Sequence, residues 1–394
     1  MTFGVAMISS VFFPSIGGAQ TVILDVGRKL QERGVPVLVV TRHYQGLARY
    51  EEVGGLPTYR VGRGDSNKAV AALSFIQGAV QVLAQQQHRY NVLHCHQMIS
   101  PMTIGLMAKA LVRKPLVVMP HRSGDIGDIG ILTQRRPVTG RVRLAAARQQ
   151  TDAFVCISKA IHDELRGIGV PESKLWDIVN GVDMQRFQPG TAEQRATLRQ
   201  QLGLPGGPLA IFTGRLVPEK GIDVLLRAWP AVLQHVPDAS VVLVGAGEQR
   251  AQLEALARQQ GIESQVVFAG GSDDVAPFLR AADAFVLPSY AEGLPVALLE
   301  AMACGLPCVG TAIDGTRNVI EDGVSGRLVP AGDAAALGRG LVEALASSAA
   351  QEWGLHARQK VSRDYSLDAV ADAYIAMYTT LLQPQARQPV SNQA

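Results

Sequence analysis

Short apolar runs alternate with longer amphipathic segments along almost the whole chain. In the first half, the runs of strand length are Thr2–Ile8, Val35–Thr41, Val92–His94, Leu116–Met119 and Ala153–Ile157. In the second half, they are Leu209–Thr213, Ser240–Val244, Gln265–Phe268, Ala284–Leu287 and Cys308–Gly310. Nearly continuous apolar strands separated by helix-length segments are typical of βαβ units around a mostly parallel sheet. Each half therefore predicts a doubly wound, Rossmann-like α/β domain, with ligands bound in the cleft where the strands of both domains end.

The length of 394 residues is about that of two ordinary domains. Glycine, proline and polar residues concentrate in Pro189–Gly207, which predicts the junction between the two domains near this segment. We assign residues 1–185 to the N-terminal domain and residues 186–364 to the C-terminal domain. A helix over 365–382 is expected to cross back to the first domain, and the polar tail 383–394 is expected to be disordered.

None of the apolar runs approaches the ~20 residues that would span a bilayer. The apolar segment Met1–Gln20 has no Lys or Arg before Arg28, and Pro14 and the Gly17-Gly18 pair interrupt it. This segment therefore predicts a first strand and its loop rather than a signal peptide. The expected location is the cytoplasm.

The four cysteines lie in apolar surroundings and lack the spacing that is typical of metal sites. Buried thiols in a reducing cytosol are the prediction for all of them, and no metal site is predicted. The four residues are Cys95, Cys156, Cys304 and Cys308.

The net charge of +3 conceals an asymmetry between the two halves. Residues 1–185 contain 21 Lys and Arg against 13 Asp and Glu, whereas the remainder contains 16 against 21. The N-terminal half is therefore the one expected to meet an anionic partner.

A cluster of arginines occupies a predicted helix of the N-terminal half, and no acidic residue occurs from Ile129 through Thr151. Such a helix can rest on anionic lipid headgroups at the inner face of the membrane, with roughly 1 kcal/mol per basic residue. A solvated basic face fits the pattern equally well. Nucleic-acid binding is not expected, because aromatic residues are only 5% of the chain and no recognition helix is visible. The arginines are Arg135, Arg136, Arg141, Arg143 and Arg148.

Two carboxylates follow the strand predicted over Ala284–Leu287, with seven residues between them. Glu292 lies in a loop just ahead of a helix, and Glu300 lies inside that helix. The backbone amides of Gly293 and Leu294 stand at the helix start, where unpaired N–H groups and the helix dipole favour an anion. A ligand that combines phosphate with sugar hydroxyls suits this segment.

Arg215 and Lys220 form a second candidate site for an anion. They lie in a loop that begins at Gly214, directly after strand Leu209–Thr213. Two cations five residues apart can converge on a diphosphate, arginine as a planar fork and lysine as a point charge. A solvated turn with incidental charges is the alternative. The neighbouring Glu292 segment favours the phosphate interpretation.

Two glycine-containing turns follow strands at which a ligand is expected. Gly17 and Gly18 open a helix near Thr21, where paired glycines allow close approach of a ligand to the backbone. A plain tight turn explains them almost as well. Gly245, in a Gly-x-Gly sequence, fits a strand-to-helix turn near a nucleotide base. The dinucleotide fingerprint G-x-G-x-x-G is absent at Gly17, which disfavours a dinucleotide oxidoreductase.

His121 comes just after strand Leu116–Met119, next to Arg122, at a position where strand ends face the cleft. This placement favours contact with a substrate over a purely structural role. His94 and His96 share one face of a strand without a third ligand, so they are interpreted as structural.

These segments resemble the retaining, nucleotide-sugar-dependent glycosyltransferases of family 4, which have the GT-B fold. Besides the motifs above, the resemblance rests on Ser158, Asn180-Gly181-Val182-Asp183 with Phe187, and Gly305-Leu306-Pro307, and it spans almost the whole chain. One departure is Asp314-Gly315-Thr316-Arg317-Asn318, where family members often have Gly-Gly-x-Pro-Glu. We interpret it as a shift in donor or local packing.

The resemblance implies the role of each candidate residue. Arg215 and Lys220 would hold the donor diphosphate, Glu292 the donor sugar and Glu300 the ribose. The Gly17-Gly18 loop would lie near the phosphates or the acceptor, and His121 would line the sugar site. The N-terminal domain would then hold the acceptor, and the C-terminal domain the nucleotide sugar.

The expected reaction is hexose transfer to an acceptor hydroxyl in glycan, glycolipid or polysaccharide synthesis. UDP, GDP and ADP are the candidate nucleotides, and neither a cofactor nor a metal is expected, since fixed charges can stabilise the departing diphosphate. A nucleotide-sugar epimerase on the same fold and a noncatalytic nucleotide-sugar binding protein remain alternatives.

Overall fold

The computed structural model describes residues 3–14, 17–64, 67–125, 127–135 and 137–383. The strands of the first sheet are β1 (Val5–Ser9), β2 (Val37–Arg42), β3 (Tyr50–Val53), β4 (Leu56–Val61), β5 (Val92–His96), β6 (Leu116–Met119), β7 (Ala153–Cys156) and β8 (Leu175–Asp177). The strands of the second sheet are β9 (Leu209–Thr213), β10 (Ser240–Val244), β11 (Val266–Gly270), β12 (Ala284–Leu287), β13 (Cys308–Thr311) and β14 (Arg327–Val329).

Helices connect most of these strands. Those of the N-terminal half are α1 (Gly18–Glu32), α2 (Lys68–Gln85), α3 (Ser100–Val112), α4 (Asp128–Gly130), α5 (Pro137–Gln150) and α6 (Lys159–Gly167). Those of the C-terminal half are α7 (Ala192–Leu202), α8 (Ile222–His235), α9 (Arg250–Gln259), α10 (Ala276–Ala281), α11 (Val296–Ala303), α12 (Asp314–Arg317), α13 (Ala334–Ala346), α14 (Ala349–Asp364) and α15 (Leu367–Leu382).

Both sheets are doubly wound, which confirms the predicted fold class. The strand order is β3-β4-β2-β1-β5-β6-β7-β8 in the first sheet and β11-β10-β9-β12-β13-β14 in the second. All pairs are parallel except β3 with β4. The order reverses between β1 and β5 and between β9 and β12. Ligands of open α/β sheets bind at such reversal points, beyond the carboxyl ends of the strands.

The central strands are buried on both faces, which explains why their sequences read as apolar runs. All five residues of β1, β9 and β10 are buried. Helices cover both faces of a parallel sheet, so neither face of these strands meets solvent and their residues do not alternate between apolar and polar.

The pattern of apolar residues does not predict β3, β4, β8 and β14. In β3, exposed and partly buried positions alternate, since this strand lies at the edge of the sheet and carries Glu51 and Glu52. The β3–β4 hairpin turns at Gly54-Gly55, both with positive φ. The remaining two strands have only three residues each, too few for a periodic signal.

Helix α15 packs against α1 of the N-terminal half. Arg33 forms ion pairs with Asp368 at 3.0 Å and with Asp372 at 2.7 Å. Tyr378 and Tyr374 of α15 are fully buried against the first sheet, where the Tyr378 hydroxyl lies 2.8 Å from Nδ1 of His94. The last described helix therefore packs on the domain in which the chain begins.

Some sequence predictions lie outside the described residues. The predicted disordered tail does so from residue 384 onwards, and so do Arg136 and the side chain of Arg135. Within the described ranges, no helix is both long and apolar enough to cross a bilayer.

Candidate active site

A cleft of about 390 Å³ lies between the carboxyl ends of the two sheets. Most of the residues predicted for the site line it. From the N-terminal half these are Gly17, Gly18 and His121, and from the C-terminal half Gly214, Arg215, Lys220, Glu292, Gly293 and Leu294. Segments from both sequence halves thus meet around one cavity.

The Arg215 side chain is partly exposed in the cleft and forms an ion pair with Glu219, with Nη2 and Oε1 3.0 Å apart. The same oxygen lies 3.5 Å from Nη2 of Arg122, which belongs to the opposite half. Glu219 therefore links two guanidinium groups across the cleft. An incoming anion can take the place of this carboxylate between them.

Lys220 is more buried than Arg215, and its ammonium lies 2.5 Å from Oε1 of Glu292. Ser289 donates a second hydrogen bond of 2.7 Å to the same oxygen. Glu292 is thus fixed by two donors on one oxygen. No donor among the described residues takes its second oxygen, which can therefore accept from a ligand. A lysine offers three donors, so Lys220 can bind a phosphate while it keeps Glu292 in place.

Helix α11 begins at Val296, and Pro295 is its N-cap residue. Leu294 and Gly293 precede this cap and line the cleft. Among the described residues, no acceptor takes the backbone N–H of either one. These amides and the positive end of the helix dipole are therefore available to an anion in the cleft.

His121 lies opposite this loop, with Nε2 3.2 Å from Nδ1 of His96. His96 in turn stacks on His94, with ring centroids 4.4 Å apart. Burial and the nearby charge of Arg122 lower the pKa of His121 to about 4. At neutral pH its imidazole is therefore uncharged and suited to hydrogen bonding with a hydroxyl. His94 and His96 are fully buried in the sheet, as a structural role requires.

Glu300 is only 8% exposed and is absent from the described lining of the cleft. Burial raises the pKa of Glu300 to about 8; the nearby Asp25 contributes to this rise, and Arg186 opposes it. The carboxyl group is therefore mostly protonated at neutral pH. The implied contact with a ribose stays a prediction, and it requires this side chain to turn toward the cleft.

Replacing Glu300 with glutamine is expected to change how stability depends on pH. A folded-state pKa raised from 4.5 to about 8 means that stability falls as pH rises between these values, by about 1.4 kcal/mol per pH unit. Glutamine removes this dependence, so the variant gains stability over the parent protein from pH 5.5 to pH 8. Denaturant unfolding at both pH values measures the difference. The exposed Glu352→Gln is the control, and parallel profiles for Glu300→Gln and the parent protein would refute the buried-acid assignment.

Gly245 does not line the described cleft; it lies against the Gly214 turn instead. A Cβ atom at Gly245 would lie 1.8 Å from the carbonyl oxygen of Gly214. Gly214 itself has a φ of 153° and lines the cleft. Gly245 therefore allows the Gly214 turn to sit close to the neighbouring strand end, and its proximity to a base stays a prediction.

The segment that departs from the family pattern lies directly beneath the Glu292 loop. A Cβ atom at Gly315 would approach the carbonyl oxygens of Glu292 and Gly293 to 2.7 and 2.6 Å. Asn318 follows α12, and its carbonyl accepts a hydrogen bond from the Tyr365 hydroxyl. Asn318 is not part of the described lining of the cleft.

Two cleft residues received no individual role from the sequence. Asn180 is buried and donates a 3.1 Å hydrogen bond to the carbonyl of Leu294, which ties the N-terminal half to the helix start. Gln97 has a φ of 87° directly after β5 and lines the cleft. A non-glycine residue held in this conformation is uncommon and is often found at functional sites. Its conformation has no sequence signal.

Comparisons with known proteins agree with this architecture. The protein-family model described as "Glycosyltransferase Family 4" matches residues 16–186. A second family model, described as "Glycosyl transferases group 1", matches residues 194–360. A D-inositol 3-phosphate glycosyltransferase of Xylanimonas cellulosilytica is 30% identical over 391 residues, covering 92% of this chain and 91% of the relative.

Two solved structures share the fold. Sucrose-phosphate synthase from Thermosynechococcus elongatus superposes with a TM-score of 0.80 at 24% identity, covering 96% of this chain and 99% of the other. Anabaena HepE in complex with UDP and glucose has a TM-score of 0.79 at 21% identity, covering 96% of this chain and 100% of the other. The protein is thus a two-domain glycosyltransferase. The chain belongs to the family 4 glycosyltransferases and has the GT-B fold.

Proposed function

We propose that this glycosyltransferase moves a hexose from a nucleoside diphosphate sugar to an acceptor hydroxyl, with retention of the anomeric configuration. The observation that carries the proposal is the convergence of Arg215, Lys220 and the start of α11 on one cleft. The structural neighbour HepE binds UDP and glucose, so a UDP-sugar is the first donor to test here.

Fixed positive groups supply the leaving-group stabilisation in this proposal. As the glycosidic bond breaks, charge develops on the diphosphate, and Arg215, Lys220 and the free amides of Gly293 and Leu294 face the place where it develops. Such preorganised groups stabilise a transition state without reorganisation. This account requires neither a metal nor a cofactor in the transfer step itself.

The sugar would lie between Glu292 and His121. The free oxygen of Glu292 can accept from sugar hydroxyls, and the uncharged imidazole of His121 can pair with another hydroxyl. The acceptor would enter from the N-terminal side, where Gly17 and Gly18 line the cleft. With no covalent nucleophile assigned, the proposed route is attack from the front face, with the donor phosphate helping to remove the acceptor proton.

A thermal-shift screen against UDP, GDP, ADP and their sugars tests the donor. A ligand at a hundredfold excess over Kd stabilises the folded state by about 2.7 kcal/mol. Release of nucleoside diphosphate, measured with and without candidate acceptors, then separates transfer from isomerisation or mere binding. Conversion of the donor sugar without any acceptor would contradict the proposal.

We also propose that the N-terminal half contacts an anionic lipid surface, through a wider face than the arginine cluster alone. Helix α3 packs between α2 and α5, and these helices present exposed apolar side chains. No Asp or Glu occurs between residues 66 and 124. The apolar residues are Leu73 (68% exposed), Met107 (50%), Leu111 (62%) and Val142 (68%).

Not every arginine of the predicted cluster can reach a lipid surface. Arg143 turns inward and donates to the carbonyl groups of Met98 and Ile99. Arg141 and Arg148 are exposed. A basic face with interspersed apolar side chains is suited to an anionic bilayer, since charge attracts and apolar side chains insert.

Reversing the charge of both Arg141 and Arg148 to glutamate is expected to weaken binding to anionic vesicles at least tenfold, at roughly 1 kcal/mol per basic residue. Sedimentation with vesicles at low salt measures the partition. Arg258→Glu with Arg339→Glu, both exposed on the C-terminal half, carries the same charge change and serves as the control. Equal losses in the two double variants would remove the proposed surface, and so would failure of the parent protein to sediment.

A further inference from the structure

Three side chains of different chemistry converge at the edge of the first sheet, outside the cleft. They are the Cys156 thiol at the end of β7, the His162 imidazole on α6 and the Asp177 carboxylate at the end of β8. The sulfur, one ring nitrogen and one carboxylate oxygen all lie within 4.8 Å of one another. The three donor atoms are therefore close enough to meet at one ion after small side-chain rotations.

The local fold explains this convergence. Strands β7 and β8 are parallel neighbours, and Cys156 and Asp177 are paired in register. Residues paired in this way project their side chains to the same face of the sheet. Ser158 caps α6 by accepting a hydrogen bond from the Ile161 amide, and the helix then places His162 over the pair.

A fourth side chain orients the imidazole. His162 Nδ1 lies 2.8 Å from Oδ1 of Asp177, and Nε2 lies 3.1 Å from Oε1 of Glu172. Metal-bound histidines almost always donate the N–H of the other ring nitrogen to a carboxylate or carbonyl. Glu172 is in the place of that outer carboxylate, which leaves Nδ1 on the side of Asp177.

We propose that Cys156, His162 and Asp177 bind a zinc ion, with Glu172 as the residue that positions the histidine. Sulfur and imidazole ligands favour zinc over magnesium or calcium, which prefer oxygen. Ligand distances of about 2.0–2.3 Å require small side-chain rotations, and the exposed carboxylate of Asp177 is free to make them. The thiol proton leaves to solvent on binding, and a water completes a tetrahedral shell.

The site would join three elements next to the cleft. Ile157 follows Cys156 directly, and its Cδ1 lies 3.6 Å from where a Cβ atom of Gly293 would be. Asn180, which bonds to Leu294, comes three residues after Asp177. A bound zinc would therefore fix two strand ends that contact the donor loop, without taking part in group transfer.

Cobalt and zinc titration of the tag-free full-length protein tests the proposal. One equivalent of Co²⁺ is expected to give a thiolate-to-cobalt charge-transfer band, and Zn²⁺ is expected to displace it. Cys156→Ser should abolish the band. His162→Gln changes a less buried residue and should weaken binding at least tenfold. Glu172→Gln should weaken it about 10- to 100-fold, as is typical of outer carboxylates.

The control is Cys95→Ser, a buried thiol whose hydrogen bond to the Pro101 carbonyl a serine can replace. It should retain the full band. The proposal is overturned if the parent protein gives no band at millimolar Co²⁺, or if Cys156→Ser or His162→Gln binds as the parent does. Circular dichroism of each variant separates loss of the site from loss of the fold. None of these results depends on the proposed glycosyl transfer.

Discussion

Replacing Lys220 with alanine is expected to lower kcat by about 10²–10³, the cost of removing one preorganised donor from an anion-stabilising site. Lys220 is the most enclosed cation of the cleft, with its side chain 18% exposed, and it pairs with Glu292 at 2.5 Å. Its removal takes a positive charge from the departing diphosphate and leaves Glu292 with Ser289 as its remaining partner. The loss should therefore appear in kcat and not only in the KM for the donor.

Release of nucleoside diphosphate at saturating donor measures this effect. Lys360→Ala on α14 is the matched control, because it removes the same side chain from a position outside the described cleft. A thermal unfolding curve for each variant confirms that the fold persists. Near-normal turnover of Lys220→Ala would show that the leaving-group assignment is wrong.

Replacing Gly293 with alanine is expected to lower kcat/KM by about 10²-fold, because a displacement of about 1 Å at a reacting centre has a cost of that size. A Cβ atom at Gly293 would lie 2.5 Å from the carbonyl oxygen of His121. That oxygen is backbone and belongs to the opposite half. The loop that presents the donor-binding amides and the loop that presents His121 must therefore separate to accept one methyl group.

The backbone of Gly293 does not require glycine, since its φ lies outside the left-handed region. Close approach is therefore the reason for the expected loss. Gly206→Ala is the control, because a Cβ atom there meets nothing within 4 Å. Kinetics of both variants, with the donor Kd measured separately, distinguish a displaced cleft from general destabilisation. Equal activity of Gly293→Ala and the parent protein would mean that the halves are farther apart in the working enzyme.

The sequence predicted the sheet centres well, because buried parallel strands must be apolar along their whole length. Four predicted strands coincide with β6, β9, β10 and β12 at both ends. The β3–β4 hairpin was missed because β3 alternates between exposed and partly buried positions at the sheet edge. Strands β8 and β14 were missed because three residues carry no period. Helix α15 is amphipathic enough to be predicted, but only the structure shows the ion pairs that attach it to α1.

The cleft was predicted through residues whose chemistry is visible locally, such as the two cations at Gly214 and the carboxylate ahead of a helix. Contacts across the halves were not visible. The sequence does not show that Glu219 bridges Arg122 and Arg215, or that Asn180 bonds to Leu294. The sequence also does not show that Glu300 is buried, because its neighbours Asp25 and Arg186 are distant in sequence.

The cysteine–histidine–carboxylate cluster was also not visible in the sequence. Cys156, His162 and Asp177 have no metal-type spacing, and the absence of such spacing led to the prediction that no metal site exists. The register of β7 with β8 brings the first and last of them together. Pairing register depends on the whole sheet, so a search for local spacing does not detect this kind of site.

Isothermal titration of UDP, GDP and ADP tests the central claim most directly, with the parent protein compared against Arg215→Ala and Lys220→Ala. The account predicts that one nucleotide binds the parent protein and that each variant binds it roughly 10- to 100-fold more weakly, since hydrogen bonds to charged groups contribute about 1.5–3 kcal/mol. Unchanged affinity in both variants would contradict the claim that these two cations hold a diphosphate in the cleft.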